Sequence, residues 1–173
     1  SVAREREQGT FEQLLVSPYR TIDLLMAKAL VPMLIGLFQG TLIFLVDLWW
    51  FAIPMVGTLF NLYLVLLLFL FSIVGLGLLI SSVSETMQQA LVWAFVCMVP
   101  MVLLSGLFAP VKNMPEILQL LTYLDPLRFG LTAIRRVYLV GTGTIETFSG
   151  MWPVILMSLL TLPLAYLFFK KRF

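Results

Sequence analysis

The sequence contains no histidine and only one cysteine, Cys97. Without histidine, the chain lacks the commonest metal ligand and general base of proteins. A single cysteine cannot form a disulfide within the chain and leaves the redox compartment open. The long apolar runs contain no acidic pair, so the sequence offers neither a nucleophile–base pair nor a metal site. We therefore expect that this chain is not an enzyme and holds no cofactor.

Charge is also scarce. Charged residues make up 12% of the 173 residues, whereas hydrophobic residues make up 61%. A soluble domain usually carries about twice that charged fraction. A lipid bilayer tolerates an apolar exterior, and the sequence therefore predicts an all-α polytopic membrane protein with membrane lipids as neighbours. The net charge of +2 is too small to indicate binding to nucleic acid.

Four stretches are long and apolar enough to cross a bilayer. A spanning helix needs about 20 residues, because each residue rises about 1.5 Å through a hydrocarbon core about 30 Å thick. We predict transmembrane helices at residues 25–46, 59–80, 89–108 and 151–169. Helices are favoured over strands, because an isolated strand in lipid leaves its backbone groups unpaired and these runs do not alternate polar and apolar residues.

The basic residues indicate the orientation of these spans. Four crossings place both ends of the segment on one side of the membrane. That side collects seven of the eleven basic residues, namely Arg4, Arg6, Arg20, Lys28, Lys170, Lys171 and Arg172. Cytoplasmic loops carry an excess of lysine and arginine, so we expect both ends of this segment to be cytoplasmic.

Residues 113–141 are mixed in character and predict a helical hairpin. Asn113 is expected to cap a short helix with Glu116 at its third position. Asp125 and Pro126 indicate the start of a second helix, and Gly141 its end. Neither helix is long enough to span. We therefore expect a re-entrant pair of short helices in the outer leaflet.

Glycine and charge within the spans suggest further contacts. Gly36 and Gly40 flank Gln39, and we expect this stretch to pack against a neighbouring helix. Gly75 and Gly77 are likewise expected to allow close helix approach. Asp47 is either part of a path through the membrane or, as its position beside two tryptophans favours, an ordinary boundary charge.

A short amphipathic helix is predicted at residues 10–17. Thr10 and Gln13 form a capping box, Pro18 ends the helix, and its apolar face carries Phe11, Leu14 and Leu15. Physical chemistry alone leaves two interpretations open. The helix either lies passively at the membrane interface or docks on a partner.

The block that begins Glu5-x-Glu7-x-Gly9-Thr10-x-Glu12 and ends Ser17-Pro18 resembles the segment that ABC-2 type transporter permeases carry between their second and third membrane helices. Later stretches resemble the same family in the same order: 75–82, 88–90, 104–106, Pro110, Met114-Pro115 and Asp125-Pro126. The chain departs from the family in having Asp125-Pro126 where Asn-Pro is usual. It also lacks the helices expected upstream, and so we expect it to be N-terminally incomplete.

The resemblance implies a permease subunit of an ABC exporter in a bacterial inner membrane, similar to multidrug-efflux members. Residues 10–17 would then be the coupling helix that docks on an ATPase subunit, through Glu7, Gly9, Thr10, Phe11, Glu12 and Leu15. A second permease subunit, identical or different, would complete the transporter. ATP and magnesium would bind to the ATPase, because this chain has no Gly-x-x-x-x-Gly-Lys-Ser/Thr motif.

The alternative is an ATP-independent polytopic membrane protein, either a secondary transporter or a membrane assembly subunit. A secondary transporter usually needs ionisable groups near the bilayer midplane. The predicted spans have none there, which disfavours that reading. The sequence does not choose among drugs, lipids and other amphiphiles as the transported substrate.

Overall fold

The computed structural model describes residues 21–171. This part of the chain is helical and contains no strand. Its α-helices are α1 (Thr21–Trp49), α2 (Leu59–Val83), α3 (Met87–Leu104), α4 (Glu116–Leu121), α5 (Pro126–Arg135), α6 (Thr144–Gly150) and α7 (Trp152–Lys171). Short 3-10 turns occupy Val111–Asn113 and Thr122–Leu124, and a π-helical turn, Arg136–Val140, extends α5.

Three helices are long and apolar enough to cross a membrane: Ile22–Trp49, Leu59–Val83 and Met87–Leu104. A fourth crossing results if α6 and α7 form one span, since the two helices pass the same test together. They are bent by 59° at Met151. Pro153 contributes to the break, because its ring and missing N–H cannot continue the α6 hydrogen-bond ladder.

The third predicted span, 89–108, is wrong at its C-terminal end, because α3 stops at Leu104. The Ser105 hydroxyl donates to the carbonyl of Val102 at 2.8 Å and accepts the N–H of Leu107 at 3.3 Å. Gly106 then adopts a positive φ of 83°, which ends the helix. A local turn therefore replaces the last helical residues that hydrophobicity had suggested.

Thr86 caps the start of α3. Thr86 accepts the backbone N–H of Gln89 at 3.2 Å. The Gln89 side chain reaches back and accepts the N–H of Glu85 at 2.9 Å, one residue before the position that a capping box requires. Helix α3 therefore starts sharply after a tight connection from α2.

In the 113–141 segment, the expected Asn113 cap is wrong and the other two signals are confirmed. Asn113 lies in a 3-10 turn, and α4 begins at Glu116 after Pro115. Asp125 caps α5 by accepting the N–H of Leu127 at 2.9 Å. Gly141 ends the segment with a left-handed φ of 74°.

Helix α2 is the centre of the bundle and packs most extensively on α7, with α1 and α5 on its other sides. The principal core cluster comprises Val65, Ala133, Val137, Met151 and Val154. Helix α3 stands apart, with no buried residue of its own. Most of its large apolar side chains are consequently exposed for lipid or for other helices.

Small residues allow the close approach of α1 to α2, as expected. A Cβ on Gly36 would lie 2.4 Å from the Leu70 side chain, and one on Gly40 would lie 2.6 Å from Leu66. Gln39 itself is exposed. The expectation for Gly77 is wrong, because nothing lies within 4 Å of the position of its Cβ.

The loop between α1 and α2 is fastened to the turn that follows α5. The N–H of Val56 donates to the carbonyl of Tyr138 at 3.0 Å, and the Tyr138 hydroxyl donates to the carbonyl of Ile53 at 3.1 Å. The Asn61 amide donates to the carbonyl of Thr142 at 3.0 Å and accepts the Thr144 hydroxyl at 2.9 Å. These bonds hold two distant chain segments at one end of the bundle.

Candidate functional site

The residues predicted to contact an ATPase lie outside the described part of the chain. They are Glu7, Gly9, Thr10, Phe11, Glu12 and Leu15, and the predicted coupling helix at 10–17 lies there with them. This interface stays a prediction. Within residues 21–171, the candidate functional features are two cavities and one buried carboxyl group.

The larger cavity has a volume of about 530 Å³ and lies between α2 and α3. Its α2 wall includes Phe69 and Ile73, and Met157 of α7 contributes to the floor. The α3 wall carries Ala94, Cys97, Met98, Pro100, Met101 and Val102. A mostly apolar cavity of this size matches those that bind drug-sized amphiphiles.

Three methionines, Met98, Met101 and Met157, line this cavity although Met157 is far from the other two in the sequence. Thioether side chains are flexible and polarizable, and they suit surfaces that accept ligands of different shapes. The spacing of Ala94, Cys97 and Met101 on α3 follows one helical face, which is the signal that could have indicated a shared wall. The contribution of Met157 depends on the packing of α7.

A buried carboxyl group, Asp125, lies between two residues that line the larger cavity, Leu124 and Leu127. The side chain is 3% exposed, and its second oxygen, Oδ2, has no hydrogen-bond partner among the described residues. Burial raises the pKa of Asp125 from 3.8 to about 6, against the opposing effects of two backbone N–H groups and the Arg128 guanidinium. The Asp125 carboxyl therefore keeps its proton to a higher pH than an ordinary aspartate, with a pKa of about 6.

Arg128 is held beside Asp125 by contacts of its own. It donates to the hydroxyl of Thr122, and its guanidinium lies 5.1 Å from the ring centroid of Tyr123 and 5.2 Å from that of Phe129. Such contacts between a cation and aromatic rings stabilise an exposed charge by about 0.5–1 kcal/mol. The Asp125 carboxyl consequently lies near one positive charge without a direct ion pair to it among the described residues.

Asp125→Asn is expected to remove part of the pH dependence of stability. The folded-state pKa of about 6 lies above the ordinary 3.8, so the folded protein holds this proton more tightly than the unfolded chain. The stabilisation is complete below about pH 4 and is lost as the pH rises through 6. Thermal unfolding in detergent between pH 4 and 7 should show this fall in the wild type and a flatter profile in Asp125→Asn.

Asparagine keeps the helix cap, because its side-chain oxygen also accepts the N–H of Leu127. The difference between the two profiles therefore isolates the titration of Asp125 from that of the other acidic groups. Parallel wild-type and variant profiles would contradict the assignment of a raised pKa to this carboxyl.

The smaller cavity has a volume of about 160 Å³ and lies between α1 and α2, beside the turn after α5. Asp47 lines it together with the aromatic residues Phe44, Tyr63 and Tyr138. Asp47 was expected to be a boundary charge beside Trp49 and Trp50, whose side chains are 88% and 84% exposed. The structure adds that Asp47 lines a partly open cavity between two helices.

Long apolar helices, a largely lipid-compatible exterior and two apolar cavities define this protein as an integral membrane protein of the multi-span α-helical class. The sequence profile of the family described as "ABC-2 type transporter" matches residues 1–139. The chain belongs to this family, which confirms the family resemblance of its sequence motifs.

Three relatives from Escherichia coli K12 illustrate the relationship. The chain is 40% identical to the "Probable multidrug ABC transporter permease YbhR" over 99% of its own length and 47% of that protein. It is 30% identical to YbhS, which has the same description, and 26% identical to the "Inner membrane transport permease YhhJ". The chain spans less than half the length of each of these relatives. No solved structure matches it.

Proposed function

We propose that this chain is part of a permease subunit of an ATP-driven ABC-2 type exporter. The observation that carries the proposal is the 40% identity to a protein described as a multidrug ABC transporter permease, which extends over 99% of this chain. The helices supply the membrane-spanning part of such a subunit. A separate ATPase subunit binds ATP and magnesium and hydrolyses the ATP, and the permease itself is not an enzyme.

The proposed topology has four crossings: α1, α2, α3, and the bent pair of α6 and α7. Both ends of the segment lie in the cytoplasm, and the membrane that holds the protein is a bacterial inner membrane. The hydrogen bonds between the 50–58 loop and the turn after α5 support this arrangement, because they require both segments to lie on one side. The short helices between residues 113 and 141 then form the re-entrant pair of the outer leaflet.

The proposed substrate is a drug, a lipid or another amphiphile. The larger cavity supports this class, since it is partly open, has apolar walls that contain three methionines, and has a volume of about 530 Å³. The exposed apolar side of α3 is available to a second permease subunit, which is either identical or different. Export follows when ATP-driven movement of the two permease halves alternates the exposure of the substrate path.

The coupling contact is proposed for the helix at residues 10–17. Phe11 and Leu15 supply an apolar anchor for the ATPase, and Glu7 and Glu12 set its register. Gly9 is expected to let the chain turn before Thr10, the predicted cap of this helix. Because the anchor is short, a single aromatic side chain is expected to supply much of the binding energy.

Phe11→Ala is expected to abolish the capture of an ATPase in a mild-detergent pull-down and to uncouple ATP turnover from transport. An aromatic hot spot contributes about 2 kcal/mol or more to an interface, which corresponds to roughly thirtyfold in affinity. Glu12→Lys should weaken the same contact by reversing a charge.

Phe60→Ala is the matched control. Phe60 is 67% exposed in the first turn of α2, far along the chain from residues 10–17, and it borders neither cavity. This variant should retain the ATPase. Normal transport by Phe11→Ala and Glu12→Lys, at wild-type expression, would remove the coupling-helix assignment. If the wild type captures no ATPase, an ATP-independent membrane protein becomes the better description.

A further inference from the structure

The smaller cavity is shaped for one ring-sized apolar group. Its volume of about 160 Å³ is close to that of apolar protein cavities that accept benzene. It runs along α1 from Asp47 to Gly40, a distance of about 10 Å at 1.5 Å per residue. A ligand that fits it therefore places one small group inside, while longer parts stay in the surrounding bilayer.

A single negative charge borders this space. Asp47 is the only charged residue between Lys28 and Glu85. Its carboxylate makes no hydrogen bond or ion pair with another residue of the 21–171 segment. No basic side chain lines the cavity, so an anionic ligand would find no counter-charge there. The isolated carboxylate favours a cation.

The remaining polar groups in the cavity wall are already engaged. The Tyr63 hydroxyl is hydrogen-bonded to that of Thr41 at 2.8 Å, and the Tyr138 hydroxyl donates to the carbonyl of Ile53. The rings of Tyr138 and Phe44 meet edge to face, with centroids 6.2 Å apart. What the tyrosines offer a ligand is therefore aromatic surface, which attracts quaternary and primary ammonium groups.

A metal ion does not suit this set of residues. Hard cations prefer several oxygen ligands, and the described residues contain no group of three histidine, cysteine, aspartate or glutamate side chains that could hold a metal ion. An organic cation needs only one carboxylate when aromatic rings surround it. The composition of the wall thus selects an organic cation over a metal.

The depth of the cavity selects an amphiphile. Trp49 and Trp50, within one turn of Asp47, project almost fully exposed from the end of α1, as tryptophans do at the headgroup level of a bilayer. A cation at Asp47 would lie at that level, and the apolar end near Gly40 and Leu66 would lie deeper. This polarity matches a molecule with a charged head and an apolar tail.

We infer that the smaller cavity, between α1 and α2, binds an amphiphile with an ammonium head. The ammonium group pairs with Asp47 among the rings of Phe44, Tyr63 and Tyr138. This inference is independent of ATP and of transport. The ammonium group comes either from a membrane lipid or from an added amphiphile. Both sources share the same chemistry, and the lipid composition of the assay separates them.

The test is equilibrium binding of radiolabelled benzyl-dodecyl-dimethylammonium to the purified protein in phosphatidylglycerol nanodiscs, corrected with empty nanodiscs. The benzyl ring fits the cavity and the quaternary nitrogen faces Asp47. Asp47→Asn should weaken saturable binding by about tenfold, the order expected for losing one partly desolvated charge pair. The neutral analogue benzyl dodecyl ether should bind weakly and equally to both proteins.

Asp23→Asn is the matched control, since Asp23 is an exposed carboxylate in the first turn of the same helix. It should bind the probe as the wild type does. Equal affinity of Asp47→Asn and wild type would overturn the inference. An equal loss of probe binding in Asp23→Asn would also overturn it, because that loss would indicate an effect of general surface charge. Full displacement of the radiolabelled probe by the neutral ether would overturn it as well.

Replacing phosphatidylglycerol by phosphatidylethanolamine identifies the source of the ammonium group. A lipid occupant should reduce the ratio of wild-type to Asp47→Asn affinity, because the lipid headgroup competes only where Asp47 is intact. An unchanged ratio, with Asp47-dependent probe binding, assigns the site to an added amphiphile. Asp47→Asn should bind the ATPase normally, so failure of this inference and failure of the proposed function are distinguishable.

Discussion

Gly57→Ala is expected to lower the free energy of unfolding by about 2–4 kcal/mol. A Cβ at this position would lie 2.1 Å from the carbonyl oxygen of Val137 and 3.1 Å from its carbonyl carbon. These atoms belong to the backbone and cannot move away by changing a rotamer. Val137 is also fully buried in the principal core cluster, so the strain spreads into the packing of α2, α5 and α7.

The measurement is equilibrium unfolding in mixed detergent micelles, followed by tryptophan fluorescence. Gly77→Ala is the matched control, because nothing lies within 4 Å of the added methyl group. Alanine also has a higher helix propensity than glycine by up to about 1 kcal/mol. Gly77→Ala should therefore leave stability unchanged or raise it. Equal stabilities of the two variants would show that the 50–58 loop does not rest on Val137 as described.

Asn61→Leu is expected to cost about 1–3 kcal/mol, because the amide makes two hydrogen bonds while only 4% exposed. Leucine would leave the half-buried carbonyl of Thr142 without this partner, and that unsatisfied group accounts for most of the cost. The Thr144 hydroxyl is exposed and can bond to solvent instead. The same unfolding measurement should show the loss.

Asn113→Leu is the corresponding control, since Asn113 is exposed and its side chain is not bonded to another described residue. Exposed substitutions usually change stability by less than about 0.5 kcal/mol. A double variant, Asn61→Leu with Thr144→Val, should lose less than the sum of the two single losses, because the substitutions share one hydrogen bond. Strict additivity would contradict the observed pairing.

These two sites also bear on the smaller cavity. Gly57 lies against Val137, and Asn61 fixes the turn that follows Val140, so both hold the segment that carries Tyr138. Tyr138 provides one wall of the cavity beside Asp47. Loosening this segment would disturb the edge-to-face contact of Tyr138 with Phe44 in that cavity wall.

Sequence patterns predicted helix positions well where neighbouring residues determine them. The charge-free run from Leu48 to Ser84 contains α2, and the Asp125-Pro126 pair starts α5 where expected. The end of α3 was missed, because hydrophobicity continues to Phe108 whereas Ser105 and Gly106 turn the backbone. Apolar composition sets which residues prefer lipid, but hydrogen bonds and φ angles set where a helix stops.

The candidate sites divide in the same way. The sequence by itself determined that this is a helical membrane protein, because too little charge is present for a water-facing surface, and its ordered motifs indicated the family. Only the tertiary structure decided that Asp47 lines one cavity with Tyr63 and Tyr138, since these residues are 16 and 91 positions away. Likewise, Met157 joins Met98 and Met101 only through the packing of α7. Contacts between distant segments depend on how whole helices cross and tilt, and no local pattern encodes that geometry.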